Sequence, residues 1–248
     1  MEQIRSSQNP LMRHIRKLQA SSDYRRQQRE FVADGFKLLA DALRWYPRLK
    51  TVVVQEGCDL PPLPRGVRTV QIPEQLMQSL SSMRSPQGVL FTCEMPPEAD
   101  LSVCGGTLLL DRIQDPGNLG TIVRTADAFG VRIVLTDDCA DLYSEKTIRA
   151  SMGAVLRTTV ARASRERILS ACREQNIPIA ATALSDAARD IREVRLHDCL
   201  VVIGSEGQGI CQTLLDAADK QIIIPMQPQC ESLNAAVAAA VVMWQMKK

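Results

Sequence analysis

The second half of this chain places one short apolar run after another: Thr107–Leu110, Val131–Leu135, Val155–Val160, Ile177–Ala181, Leu200–Ile203 and Gln221–Ile224. Runs of this length read as buried strands. Stretches with helical spacing, such as Leu119–Phe129, fit between several of them. Strands that alternate with helices imply an α/β fold with a mostly parallel sheet covered on both faces. In such a sheet ligands usually bind in the loops that leave the carboxyl ends of the strands.

The first half carries a smaller α/β pattern. Residues 7–20 have Leu11, Ile15 and Leu18 at helical spacing with basic residues between them. Pro10 suits the first turn of that helix and Asn9 its N-cap. Residues 34–46 repeat the helical pattern, Thr51–Val54 and Val67–Ile72 read as strands, residues 73–83 as another helix, and residues 88–95 as a further strand. The stretch PPEADLSVCGG then interrupts the pattern with Pro, Gly and acidic residues. The expected division is therefore a small α/β domain over 1–97, a linker over 98–106 and a larger domain over 107–248.

The composition allows a sizeable core, with 45% hydrophobic and 23% charged residues in 248. No apolar run reaches the roughly 18 residues of a membrane span, and the N-terminus has no apolar signal segment. A cytoplasmic protein is expected. The eight cysteines fall at irregular spacings without Cys-x-x-Cys, and the two histidines, His14 and His197, lie far apart, so no metal site is expected. Charge is uneven: residues 1–97 hold 14 Lys+Arg against 9 Asp+Glu, whereas residues 98–248 hold 16 against 19. Arg13, Arg16, Lys17, Arg25 and Arg26 belong to the early basic excess and are candidate phosphate contacts for an RNA. An ordinary solvated helix face accounts for such a cluster equally well.

Three segments carry candidate chemistry. LLLDRIQDPGNLGTIVRTADAFG (108–130) runs from a buried strand through a loop into a helix, with Asn118 and Arg124 near the helix start. LVVIGSEGQGI (200–210) ends a strand in a loop with Gly204, Gly207 and Gly209 around Glu206. Glycines there permit close backbone approach, but the spacing is not the dinucleotide fingerprint. IIIPMQPQCESLNAAVAAAVVMWQM (222–246) ends a strand at Pro225–Met226, after which Ser232 can cap a helix beginning near Leu233. That helix is apolar nearly all round and must be covered by a sheet or by a second subunit. Taken singly, capping and surface ion pairing explain Asn118, Ser232 and Arg124 as well as any function does.

Taken together, the three segments closely resemble the three motifs of the SpoU, or TrmH-like, RNA ribose methyltransferases of the SPOUT superfamily. DPGNLGTIVRTADAFG, IGSEGQGI and IPM…ESLN carry the likeness, SEKTIRASMGA (144–154) resembles the segment between the first two motifs, and SSQNPLMRHIRKL with FVADGFKLLADAL resembles the family's N-terminal substrate-binding domain. The resemblance implies a deep trefoil knot in the C-terminal domain, although knots are rare in proteins. It also implies a homodimer through that domain and methyl transfer from S-adenosylmethionine to a ribose 2′-hydroxyl. The separate N-terminal domain favours rRNA over tRNA as substrate, with a non-catalytic RNA-binding assembly factor as the remaining alternative.

By matching positions, Gly204, Ile224 and Leu233 should border the cofactor, with Met226 and backbone near Thr182 and Ala183. Arg124, Asn118, Glu206, Ser232 and Asn234 match functional polar positions. Arg124 is the candidate for stabilising the developing alkoxide or acting as base, and Glu206 for holding Arg124 or a loop backbone. Ser205, Ala235-Ala236 and Asp34-Gly35 depart from the family pattern without removing a reactive group.

Overall fold

In the computed structural model, which describes residues 1–185, 187–227, 229–230 and 232–248, the chain divides into two compact units. One comprises Met1–Pro97 with Asp141–Arg157, the other Glu98–Ala140 with Thr158–Lys248. No helix among the described residues is long and apolar enough to cross a membrane.

The first unit contains β1 (Glu2–Gln3), α1 (Pro10–Ala20), α2 (Ser22–Gln28), β2 (Glu30–Asp34), α3 (Phe36–Trp45), β3 (Leu49–Gln55), β4 (Arg68–Ile72), α4 (Glu74–Leu80) and β5 (Val89–Glu94). Their sheet has the order β1-β4-β3-β5-β2, with β4 parallel to β1 and β3, and β5 antiparallel to β3 and β2. Asn9 caps α1 as expected, accepting from the Leu11 N–H at 2.9 Å, and Pro10 opens the helix. Leu11, Met12, Ile15 and Leu18 of α1 pack with Leu76, Met77 and Leu80 of α4 on one face of the sheet. Leu38, Leu39 and Ala42 of α3 pack with Phe31, Val52 and Phe91 on the other. Strand β2 was not expected from the sequence. Its five residues are all buried although Glu30 and Asp34 end it, so the apolar signal is only three residues long.

The second unit begins with β6 (Thr107–Asp111), α5 (Pro116–Phe129) and β7 (Arg132–Thr136). The chain then contributes α6 (Glu145–Ala150) to the first unit and continues in the second with β8 (Val160–Ala163), α7 (Arg165–Glu174), β9 (Ile179–Thr182), β10 (Arg189–Asp190), β11 (Leu200–Gly204), α8 (Gln212–Asp216), β12 (Lys220–Ile223) and α9 (Ala235–Met246). The seven strands lie in the order β10-β12-β9-β11-β6-β7-β8, and every neighbouring pair is parallel. This is the parallel sheet that the alternating pattern requires, with α7 and α8 packed on one face through Ile168, Leu169, Cys172 and Leu214.

One expected strand is corrected. Val155 and Leu156 lie in a 3-10 turn, Ala154–Leu156, and the strand starts only at Val160. Leu156 is buried in the core of the first unit, so its apolar character reports burial and not sheet pairing. A short apolar run cannot separate the two by itself.

Candidate active site

Four strands deliver the site from their carboxyl ends. β6 and β11 are neighbours in the middle of the sheet, with β9 and β12 beyond β11. Successive strands leave β6 through β7 to β8, and the chain then crosses to β9 on the other side, so the order reverses between β6 and β11. Such a switch point opens a crevice at the strand ends. The loop after β6 passes into α5, which Asp115 caps by accepting from the Asn118 N–H at 2.8 Å, with Pro116 in the first turn. Asn118 therefore lies inside the first turn of α5.

The loop after β11 doubles back on itself. Ser205 and Gly209 exchange two backbone hydrogen bonds, Ser205 N–H to Gly209 O at 3.2 Å and Gly209 N–H to Ser205 O at 2.9 Å. A Cβ on Gly204 would lie 2.2 Å from the Gly209 carbonyl carbon. No side chain fits there, so Gly204 is needed for the loop to close, whatever else it borders.

A cluster of polar side chains joins the three loops. Glu206 Oε1 accepts from Asn118 Nδ2 at 2.7 Å, from Asn234 Nδ2 at 2.7 Å and from the Ala235 N–H at 3.0 Å. Asn234 Nδ2 also donates to Asn118 Oδ1 at 3.1 Å, while its Oδ1 accepts from the N–H groups of Ala236 and Val237 at 3.0 and 3.3 Å. Both donors and the acceptor of the Asn234 amide are thus engaged. The Glu206 carboxylate sits at the N-terminus of α9, where the helix dipole favours negative charge.

One expectation changes here and another narrows. Asn234, not Ser232, caps the last helix, which begins at Ala235. Of the two partners expected for Glu206, Arg124 or a backbone, the described residues show a backbone N–H, that of Ala235, together with the Asn118 and Asn234 amides. Glu231 of the ESLN motif and Pro228 before it lie outside the described residues.

Beneath this cluster is a cavity of about 610 Å³, within the range of small-molecule sites. Thr182, Ala183, Gly204, Ile224, Met226 and Leu233 all line it, as do Glu206 and Ser232. The Thr182 hydroxyl donates to Val202 O at 3.1 Å and the Ala183 N–H to Ile222 O at 3.0 Å, so this wall is fixed by its own bonds. A smaller polar cavity of about 290 Å³ adjoins it, lined by Arg112, Gln114, Asp115, Asn118, Glu206 and Gln208 among others. The two cavities share Ser205, Glu206, Gly207, Gln208 and Ala235. Arg124 stands on the exposed side of α5 and lines neither cavity, and its side chain makes no hydrogen bond or ion pair among the described residues.

Sequence reasoning missed a network of buried charge behind these loops. Asp111, fully buried at the end of β6, accepts from Arg165 Nε and Nη2 at 2.9 and 2.6 Å and from the Cys211 N–H at 2.7 Å. Arg165 also bridges to Asp138 at 2.7 Å. Desolvation pushes the Asp138 carboxyl up, but hydrogen bonds from Arg165 and Thr136 outweigh it and hold the carboxyl below its usual range. An aspartate closing an otherwise apolar strand was the available signal. Among the described residues, no group of three or more His, Cys, Asp or Glu is placed to hold a metal ion.

The basic residues expected to meet RNA divide. Arg13 and Lys17 are exposed on α1, with Lys17 5.6 Å from the Tyr24 ring centre. Arg26 is exposed and paired with Asp23. Arg16 is half-buried, donating to Ser7 O at 2.9 Å and to Ser79 Oγ at 3.2 Å. Arg25 is a correction: it is 5% exposed, donates to Asp141 at 2.8 and 2.6 Å, and reaches the carbonyls of Leu18 and Gln19. Its charge serves the interior of the unit and is withdrawn from any phosphate.

Residues 106–244 match the model of the SpoU rRNA Methylase family, and residues 9–90 match that of the MRM3-like substrate binding domain. The chain belongs to the SpoU rRNA Methylase family. It is 30% identical over 249 residues, all of both chains, to the 23S rRNA (guanosine(2553)-2'-O)-methyltransferase RlmP of Bacillus subtilis. The crystal structure of the AdoMet-bound rRNA methyltransferase from Sinorhizobium meliloti superimposes with a TM-score of 0.88 at 29% identity, covering 99% of this chain and 97% of that one. A crystal structure of an RNA 2'-O ribose methyltransferase gives 0.83 at 28% identity, covering 99% and 98%.

Proposed function

We propose that this chain transfers the methyl group of S-adenosylmethionine to a ribose 2′-hydroxyl of ribosomal RNA. Residues 107–248 act as the catalytic domain, apart from Asp141–Arg157, which belong to the first unit, and residues 1–97 act as the RNA-gripping domain, with 98–106 between them. The observation that carries this reading is the Asn118–Glu206–Asn234 cluster, which ties three loops together where a large cavity and a small polar one share a wall. Its support is the family membership and the full-length similarity to rRNA methyltransferases.

The larger cavity fits the cofactor. It offers apolar walls from Ile224, Met226 and Leu233 and a glycine-bearing loop whose backbone can approach a ligand closely. When bound, S-adenosylmethionine supplies an already activated methyl group, so the chain's own residues have to deal with the hydroxyl. A ribose hydroxyl is a very weak acid, and its proton must leave as the oxygen attacks. Arg124 stabilises the growing alkoxide and the neighbouring phosphate while the proton passes to solvent water; a guanidinium gives up a proton too reluctantly to be the base. Asn118 and Ser232 orient the ribose, Asn234 fixes the start of α9, and Glu206 holds both asparagines. The loops close into the trefoil knot of the family.

The protein acts as a homodimer through α9. Ala236, Ala239, Val242 and Met243 of this helix are buried, but Val237, Val241 and Trp244 are 50%, 38% and 60% exposed. Their spacing puts them on one face, extended by Phe129, whose ring centre is 5.8 Å from that of Trp244. A second copy would cover this face with the same residues, as two-fold symmetry requires.

Incubation with labelled S-adenosylmethionine and total RNA from a deletion strain should place label on one ribose of rRNA. Label confined to tRNA, or none at all, would overturn the reading. Trp244→Glu should yield a monomer by sedimentation, and an unchanged dimer would move the interface elsewhere.

A further inference from the structure

Arg112 follows Asp111 at the end of β6 in a left-handed conformation, φ 59°. That conformation costs an L-residue with a Cβ about 1–2 kcal/mol, and glycine takes it freely. The position therefore favours glycine on backbone grounds, yet it holds an arginine whose two terminal nitrogens are both bonded. Nη1 donates to Gln208 Oε1 at 3.0 Å and Nη2 donates to Gly209 O at 3.3 Å, while the buried Nε, 3.6 Å from the Asp111 carboxylate, makes no hydrogen bond among the described residues. Asp111 also receives the Cys211 N–H. The loop after β11 is consequently held from β6 at both its tip and its far end. This loop forms the wall common to both cavities and carries Glu206.

We propose that Arg112 is a positioning residue that clamps the Ser205–Gly209 loop closed over the larger cavity, and so sets how tightly S-adenosylmethionine is held. The proposal rests on reading that cavity as the cofactor site. The planar fork is what the geometry uses, since it spans a side-chain oxygen and a backbone oxygen from one rigid group. Asp111 does not depend on Arg112 for its hydrogen bonds, because Arg165 donates to Oδ1 and the Cys211 N–H to Oδ2. Loop closure is visible in two amides: Gln208 N–H donates to Ser205 Oγ at 3.2 Å and Gly209 N–H to Ser205 O at 2.9 Å.

The test uses Arg112→Gly in the full chain, because glycine removes the fork and relieves the backbone together. Thermal stability should stay close to that of the parent. Hydrogen exchange at the Gln208 and Gly209 amides of cofactor-free protein should accelerate, and the calorimetric Kd for S-adenosylmethionine should rise about tenfold, as expected for losing charge-assisted hydrogen bonds. Arg112→Lys should not restore it. Gln208→Ala should act in the same direction but less, and Arg112→Gly should cost less in that background than alone. Unchanged exchange and affinity in Arg112→Gly would overturn the clamp, as would unchanged affinity with a raised KM for RNA. If the parent protein failed to bind S-adenosylmethionine, the cavity reading would fall, and the exchange rates would still decide whether Arg112 holds the loop.

Discussion

The two units bury charge differently. In the second, both carboxylate oxygens of the buried Asp111 are bonded: Oδ1 accepts from the Arg165 fork and Oδ2 from the Cys211 N–H. In the first, Asp34 at the end of β2 is also buried, but only its Oδ2 is bonded, by the Ser81 hydroxyl, and Oδ1 has no partner. Desolvation pushes the Asp34 carboxyl up despite Ser81 and Arg149, and it pushes Glu145 up as well, with Asp34 adding to the rise. The difference teaches what each buried acid is for. A buried charge that collects donors from several elements fixes those elements relative to one another. A buried charge left half-satisfied costs stability and fixes little.

Removing the central donor of the paired network should give the largest effect on folding. Arg165→Ala leaves Asp111 buried without its main counter-charge, and such losses cost about 3–5 kcal/mol. Chemical denaturation should show a lower midpoint, and Arg165→Lys should recover only part of it because one ammonium cannot bond both Asp111 and Asp138 in the same way. A midpoint within the scatter of the parent would mean that the network is decoration. Asp111 would then need another account of its burial.

The contrast sharpens when a spent arginine is set beside an unspent one. Arg165 is consumed by Asp111 and Asp138, whereas Arg124 is exposed on α5 without a partner among the described residues. Arg124→Ala should therefore fold as well as the parent and bind S-adenosylmethionine nearly as tightly. Its single-turnover methyl-transfer rate should fall on the order of a hundredfold, since the lost interaction belongs to the transition state. Arg124→Lys should rescue little. Normal turnover of Arg124→Ala at saturating RNA would shift the catalytic role to Asn118, Ser232 or Asn234.

The same division applies to the basic helices of the first unit. Arg25 is spent on Asp141, while Arg13 and Lys17 are exposed on α1. Replacing Arg13 and Lys17 by Gln should weaken RNA binding severalfold at moderate salt and flatten its salt dependence by roughly two counter-ions. Cofactor affinity should not move. An unchanged salt slope would make these residues an ordinary solvated face.

These particulars show where the sequence was legible. β6 and β11 are nearly continuous apolar runs and β12 runs into the apolar Ile222–Ile224, so the loops that hold Asn118, Glu206 and Asn234 could be placed from the sequence, and the family resemblance singled out those residues within them. Which part bonds which could not. Asn118 is 88 residues from Glu206 and 116 from Asn234, and no local pattern encodes that three donors meet at one carboxylate oxygen. Arg25 misled for a related reason: in sequence it stands beside Arg26 in a basic run, and only the distant Asp141 distinguishes them. β2 was hidden because its ends are acidic, and Glu30 is tolerated there through Lys50 and His14.

The smallest effect, and the one with the opposite sign, belongs to Asp34. A carboxyl whose folded pKa is raised contributes fully to stability below its unfolded pKa and loses that contribution as the pH rises through the folded value. At about pH 7, above the ordinary aspartate range, the upward shift of Asp34 is therefore a burden on the fold. Asp34→Asn keeps an oxygen for the Ser81 hydroxyl and removes the charge, so it should raise the Tm at about pH 7 by roughly 2–4 °C, the equivalent of about 1 kcal/mol in a chain of this size. The advantage should shrink as the pH is lowered and vanish towards the ordinary aspartate value of 3.8. Asp111→Asn should lower the Tm instead, because an amide has one acceptor oxygen and cannot serve both the Arg165 fork and the Cys211 N–H. If Asp34→Asn lowered the Tm by the same amount at about pH 7 and about pH 5, the Asp34 carboxylate would be a stabilising partner of Arg149. The two buried aspartates would then follow one rule instead of two.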